Sequence, residues 1–420
     1  VSAPTRRRRS LTHVGGEVET AGNREIAAAL RSALDVAPAA EPRGERGEAA
    51  VDDPDRAHVH GFHTYPARMH PATAARLVTA LSPAGATVLD PFCGSGTVLV
   101  EAMIAGRRAV GTDLNPLAVR LARLKTAPRD AAARDAIVSA ARGAAAFADE
   151  RRARRAGATH RYPPEDVATF DPHVLLELDS LRAGIAQVGR DRDDVRDALE
   201  LVLSAILVKV SRKASDTSAG VAPRRIAAGY PARLFARKAE ELARRLADFE
   251  ARLPPGAAPA RVEVDDATRL RTVAASTVDA VVTSPPYVAT YDYLAHHALR
   301  MRWLGLDTRA FAAAEMGARR RYARLDAREA REAWTRELAA ALRSMARVCR
   351  KGARVALLVA DSAVGGEALR ADALVAAVAP DAGFAPLARA SQRRPHFHAP
   401  TAPAFERAPR AEHAIALEKR

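Results

Sequence analysis

Apolar and polar positions alternate between two periods along this chain, and the switches mark its elements. Short β-branched or apolar runs at 87–90, 108–113, 261–265, 278–283 and 353–360 each end in a turn signal and read as buried strands. Between 126 and 260 the apolar residues recur instead at helical spacing, over 131–155, 175–185, 198–210 and 232–253, and Pro254-Pro255-Gly256 closes the block. Two more helical stretches, 294–304 and 326–348, separate the last two strands. Strands alternating with helices predict an α/β fold, a doubly wound and mainly parallel sheet with helices on both faces, carrying a helical insertion. Residues 1–57 open on Thr5-Arg6-Arg7-Arg8-Arg9-Ser10 and run through Ala, Glu, Gly and Pro, which predicts a basic disordered arm with one short helix at 26–34.

Two strand ends carry unusual chemistry. The run Val278-Asp279-Ala280-Val281-Val282 stops in Thr283-Ser284-Pro285-Pro286-Tyr287. Two prolines stiffen that turn and withdraw backbone donors, so a hydroxyl, free carbonyls and an aromatic face are presented together. Such a surface suits a flat ring bearing an amino group. Earlier, Val88-Leu89-Asp90 runs through Pro91-Phe92-Cys93-Gly94-Ser95-Gly96-Thr97 into a helical pattern. Gly94 and Gly96 let the backbone approach a ligand, and the helix start behind them favours an anion such as a carboxylate. It is neither a dinucleotide fingerprint nor a phosphate loop. Asp113 ends the next strand, where it can accept from ribose hydroxyls or cap the helix after Asn115-Pro116.

The pair Asp90-Pro-Phe-Cys-Gly-Ser-Gly-Thr97 and Thr283-Ser-Pro-Pro-Tyr287 resembles motifs I and IV of the S-adenosylmethionine-dependent DNA amino-methyltransferases, with Ser-Pro-Pro-Tyr similar to the cytosine-N4 type. His63-Thr-Tyr-Pro-Ala-Arg-Met-His70-Pro71 resembles motif X, Gly111-Thr-Asp113 motif II, and Asp265-Asp266-Ala-Thr-Arg-Leu270 motif III. Residues 412–419 resemble the final antiparallel strand of the same Rossmann-like class I methyltransferase fold. The resemblance implies a methyltransferase domain over 58–125 and 261–420, with 126–260 as insertion and candidate target-recognition element. It implies S-adenosyl-L-methionine as cofactor, held by His70, Asp90, Phe92, Gly94, Gly96, Thr97, Asp113 and Asp266, Asp265 being the alternative to Asp266. Ser284 and the Pro285 carbonyl would accept from the base amino group, Pro286 would stiffen the turn, and Tyr287 would stack on a flipped base. The partner implied is nucleic acid, double-stranded DNA favoured over RNA. Adenine-N6 methylation, RNA base methylation and a catalytically silent relative stay open.

Composition adds partners and compartment. Sixty-five Lys and Arg against 50 Asp and Glu give +15, which fits a polyanionic partner or a composition set genome-wide. Arg151–Arg155, Arg224-Arg225, Arg319-Arg320-Arg321 and Gln392-Arg393-Arg394 are candidate phosphate contacts. Two cysteines, Cys93 and Cys349, allow no disulfide framework or Cys-based metal site; neither follows a proline, as a carbon-5 methyltransferase nucleophile would. No metal and no membrane partner are expected, and the cytoplasm is the expected compartment. His296-His297, His396 and His398 lack zinc-site spacing and read as solvated or hydrogen-bonding. The polar loop 211–218 reads as a functional loop or as an ordinary helix terminus.

Overall fold

The computed structural model describes residues 16–36 and 56–420, except 217, 219, 365 and 397. The chain enters through β1 (Val18–Gly22), α1 (Arg24–Leu34), α2 (Pro71–Leu81), β2 (Thr87–Asp90), α3 (Thr97–Ile104), β3 (Arg108–Asp113) and α4 (Pro116–Thr126). Five helices follow: α5 (Ala131–Ala153), α6 (Pro164–Thr169), α7 (Pro172–Val188), α8 (Asp193–Leu207) and α9 (Tyr230–Glu250). Next come β4 (Arg261–Val264), β5 (Val278–Thr283), α10 (Tyr293–Trp303), α11 (Arg309–Ala314), α12 (Arg319–Tyr322) and α13 (Ala327–Val348). The chain ends in β6 (Cys349–Ala360), the small hairpin β7 (Ser362–Val364) and β8 (Glu367–Leu369), α14 (Ala371–Val378), β9 (Phe384–Arg393) and β10 (Ala411–Lys419).

Eight strands form one sheet in the order β1-β9-β10-β6-β5-β2-β3-β4. The pairs β2/β3, β3/β4, β2/β5 and β5/β6 are parallel, whereas β10 runs antiparallel to both β6 and β9. This is the doubly wound, Rossmann-like α/β fold expected from the strand–helix alternation. Period-2 alternation is visible on β6: Val355, Leu357 and Val359 pack into one core layer, Ala356 and Leu358 into the other. α13 and α14 cover the first face; α1 to α5 and α7 to α9 cover the second. Because β3 lies on one side of β2 and β5 on the other, the strand order reverses between β2 and β5. That reversal opens a crevice at the carboxyl ends of the strands.

The insertion is not a free-standing unit. α8 is apolar on nearly every side; Leu199, Leu201, Val202, Ile206 and Leu207 are fully buried, and the helix touches α4, α7, α9 and α10. Each such side chain contributes roughly 1.5–3 kcal/mol by leaving water, so the insertion and the sheet share one core layer. The loop after α8 is explained as structure: Ser211 Oγ donates to the Val208 carbonyl, and Asp216 forms a bidentate ion pair with the buried Arg300 on α10, at 2.8 and 3.0 Å.

Of the arm expected over 1–57, the short helix at 26–34 is present as α1, and the disorder is corrected for the described residues around it. β1 pairs antiparallel with β9, Val18 opposite Gln392 and Gly22 opposite Ala388, and adds an eighth strand at the sheet edge. α1 begins at Asn23, whose side chain accepts from the Glu25 and Ile26 N–H groups, and buries Ile26, Leu30 and Leu34. Average composition hides a strand with only one buried side chain, and an open edge of β9 supplies the missing backbone partners. The arginine run 6–9 lies outside the described residues. Among the described residues no helix is long and apolar enough to cross a membrane.

Candidate active site

The crevice at the β2/β5 reversal is a cleft of about 920 Å³. Its floor is the turn after β2, where Asp90, Phe92, Gly94, Ser95 and Thr97 line it; Asp113 follows from β3, Asp265 and Asp266 from the end of β4, and Ser284 and Pro286 from the turn after β5. Residues separated by nearly two hundred positions therefore share one cavity. Tyr65, Arg68 and Met69 close one side, and Tyr293, Phe311, Glu315 and Met316 close another.

The floor is tightly specified. Asp113 Oδ2 accepts from the Gly94 N–H and Oδ1 from the Asn115 N–H, both at 2.8 Å, so the two adjacent strand ends are clasped together. Burial pushes the Asp113 carboxyl up to about 6, with the Asn115 and Gly94 bonds opposing. Gly96, at φ +87°, starts α3, and a Cβ there would meet the Ala122 backbone at 3.1 Å. It shapes the turn without lining the cleft. Thr97 lines the cleft with a buried Oγ1 that has no partner among the described residues. An orphaned hydroxyl at a helix amino end is a fitting contact for an anionic group.

Asp90 Oδ1 accepts both the Thr283 hydroxyl at 2.6 Å and the Phe92 N–H at 3.1 Å, joining the ends of β2 and β5. Burial pushes its carboxyl up to about 7 from an ordinary value of 3.8. The native state therefore keeps a proton that the unfolded chain has lost; this stability is fully present below 3.8 and lost as pH rises through 7. Asp90→Asn keeps Oδ1 and both bonds. Thermal denaturation of the cofactor-free protein should show the variant melting higher than the parent above pH 7, the gap closing toward 3.8.

The two candidate acids on β4 are separated by their bonding. Asp265 is committed to its own loop, accepting from the Asp266 N–H and from the Thr272 N–H and hydroxyl at 2.7–2.8 Å. Asp266 accepts from Thr268 through Oδ1 alone; its Oδ2 has only Arg269 at 3.8 Å.

Other expected residues lie elsewhere. His70 does not line the cleft; its Nδ1 accepts the Ala72 N–H at 3.0 Å and caps α2. Pro285 is buried under the turn. The Tyr287 hydroxyl donates to Glu412 Oε1 at 2.9 Å, and Glu412 in turn binds Arg394 at 2.9–3.0 Å, so this ring is anchored to β10 and stands outside the cleft lining. Arg320, Arg321 and Arg394 are held by Glu315, Glu337 and Glu412, which removes them as free phosphate contacts. Arg224 and Arg225 are exposed. His396 and His398 hydrogen-bond Thr401, as expected. His297 is neither solvated nor hydrogen-bonded: fully buried, it stacks on Tyr65 at 4.8 Å, and burial holds it neutral with its pKa near 3.

Sequence reasoning missed Tyr293, Phe311, Glu315 and Met316. Glu315 is 3% exposed, accepts the Tyr293 N–H at 2.6 Å and pairs with Arg320, tying α10 to α12 over the cleft. Nothing local marks these positions. Tyr65 and Arg68 did sit inside the stretch that resembles motif X.

A carboxyl-edge cleft with an orphaned hydroxyl at a helix start and acids at two successive strand ends lies where doubly wound folds take their ligands. Residues 39–124 match the N6/N4 methyltransferase family model, described as DNA methylase. Among curated relatives, the type II methyltransferase M.MvaI of Kocuria varians is 41% identical over 73 residues, covering 17% of this chain and 16% of its own. M.MjaII of Methanocaldococcus jannaschii is 35% identical over 68 residues, 16% of this chain and 13% of its own. A tRNA (guanine(10)-N2)-dimethyltransferase of Methanothermobacter thermautotrophicus is 43% identical over 61 residues, 14% of this chain and 18% of its own. The chain thus matches under a fifth of the length of each. Among solved structures, TrmN of Thermus thermophilus aligns at 14% identity and TM-score 0.31, over 83% of this chain and 49% of that one. The rRNA methyltransferase aviRa of Streptomyces viridochromogenes aligns at 14% identity and TM-score 0.33, over 90% and 96%. The similarity to the DNA methylase family model and to the two type II methyltransferases is confined to the amino-terminal third of the chain or to segments of about 70 residues.

Proposed function

We propose that this protein transfers a methyl group from S-adenosyl-L-methionine to the exocyclic amino group of a flipped base in double-stranded DNA, cytosine N4 favoured. One observation carries the reading: Ser284 and Pro286 line the same cleft as Asp90, Gly94, Thr97, Asp113 and Asp266. S-adenosylmethionine, when bound, supplies a methyl group made electrophilic by its sulfonium. Asp113 would hold the ribose hydroxyls, Asp266 the adenine amino group, and Phe92, Gly94 and Thr97 the methionyl part.

The chain's own task is the amine. Its lone pair is delocalised into the base ring, which makes it a weak nucleophile. Ser284 and the Pro285 carbonyl accept its hydrogens and localise that pair, while Tyr287, held by Glu412, steadies the turn that carries them. Positioning then supplies most of the rate. Arg224 and Arg225 on the insertion, exposed beside α9, are the phosphate contacts we favour.

The tRNA relative makes RNA the second reading. The test is methyl transfer from labelled cofactor to duplex DNA and to total RNA side by side, with nucleosides identified by mass spectrometry. N4-methylcytosine in DNA is the expected product. N6-methyladenine would move the base, label confined to RNA would move the substrate, and cofactor binding without transfer to either would mark a silent relative.

A further inference from the structure

Lys125, in the last turn of α4, is fully buried. Among the described residues its Nζ has a single hydrogen-bond partner, Ser95 Oγ at 3.1 Å, and no carboxylate within ion-pair distance. The charged groups packed against it are cations: Arg68 from the segment before α2, and Lys238 and Arg245 of α9. The histidines it acts on, His58, His60 and His63, are held neutral by burial. The acids of that region are already engaged, Glu241 by Lys238 and Arg245, and Glu101 by His60. A buried ammonium without a counter-charge is strongly disfavoured. Its one way out is Ser95, which lines the cleft.

On the cleft side of Ser95 stand Arg68 and the unpartnered Thr97 hydroxyl, at the amino end of α3. Ser95, Arg68 and Thr97 thus line the same cleft and together offer a seat for an anion, with Lys125 behind Ser95. We propose that Lys125 is the buried counter-charge for the carboxylate of the cofactor's methionyl part, acting through the Ser95 hydroxyl, and that it takes up a solvent proton when that carboxylate arrives. The inference rests on the cofactor reading above. Lys125 donates to Ser95 Oγ, which frees the serine hydrogen to donate into the cleft. No bond of the cofactor changes; a proton from solvent adds to the lysine nitrogen. Burial first, then the charges of Arg68, Lys238 and Arg245, push the Lys125 ammonium well below its ordinary value, so the charged form is disfavoured in the empty cleft. An anion in the seat reverses that balance. Proton uptake makes binding weaken as pH rises.

The test is calorimetric titration of the full chain with S-adenosylhomocysteine in buffers of different ionisation enthalpy, which counts protons taken up per molecule bound. Asp90 and Asp113 also titrate in this cleft, so the readout is the difference between the parent and Lys125→Met. The parent should take up more protons than the variant, by at most about one, with an affinity falling more steeply with pH, by at most about tenfold per pH unit. The variant should bind S-adenosylhomocysteine roughly tenfold more weakly. 5′-Methylthioadenosine has no carboxylate; it should bind both proteins alike, which also reports that the variant is folded. Should Lys125→Met fail to fold, Ser95→Ala carries the test, because cutting the relay should narrow the preference for the carboxylate-bearing nucleoside. A variant with the parent's affinity and proton count overturns the proposal. If the parent binds neither nucleoside, the cofactor reading itself fails.

Discussion

Ser284→Ala should lower the rate of methyl transfer by roughly 100-fold or more while S-adenosylhomocysteine still binds. Ser284 lines the wall of the cleft just after β5, opposite the floor that carries Asp90 and Gly94. Its position is set from both sides. Thr283 is fixed to Asp90 by a 2.6 Å bond, and Tyr287 is fixed to Glu412 at 2.9 Å, so the turn is pinned across three strands of the sheet. A hydroxyl held there acts on the amine as the nitrogen pair is committed, so its removal falls on the rate more than on binding. Single-turnover methyl transfer, with calorimetric cofactor binding alongside, separates the two. A variant that keeps its rate would take Ser284 out of the amine-activating role.

The largest expected change in stability is at the Asp216–Arg300 pair. Arg300 is 1% exposed, and among the described residues its hydrogen-bond partners besides Asp216 are the Ser204 carbonyl and His63. Asp216→Ala leaves a guanidinium buried without its counter-charge and should cost about 3–5 kcal/mol in chemical denaturation. Adding Arg300→Met removes the stranded charge and should recover most of that loss. The consequence reaches the cleft. Arg300 follows His297 on α10, His297 stacks on Tyr65, and Tyr65 forms a wall of the cavity beside Gly94, where a Cβ would lie 3.2 Å from its ring. Cofactor binding by Asp216→Ala should therefore weaken along with stability, and both should return in the double variant.

Unlike β1 and β7 to β9, the strands β2 to β6, their order along the chain and the turns that end β2, β3 and β5 were legible in the sequence. Each is a local signal: a period-2 apolar run, a glycine at positive φ, a proline that ends a ladder, all within about ten residues. The resemblance of those turns to methyltransferase motifs is what implied Asp90, Phe92, Gly94, Thr97, Asp113 and Asp266 as site residues, and all six line the one cleft. His70 caps α2 and lies outside the cleft lining: a helix cap and a ligand contact ask for the same polar side chain next to a proline, and only packing separates them.

What tertiary structure alone decided was every feature whose partners lie far apart in the chain. β1 is a strand because β9 leaves an edge open 370 residues later, Val18 opposite Gln392. Glu315 and Met316 line the cleft because α10 and α12 fold back over it, and no periodicity announces that. Lys125 looks like an ordinary helix-end lysine in sequence; its burial follows from α9 and the segment before α2 closing around α4. Turn chemistry and periodicity are written into neighbouring residues. Burial, ion pairing and edge closure are sums over distant ones, and those sums exist only once the sheet has formed.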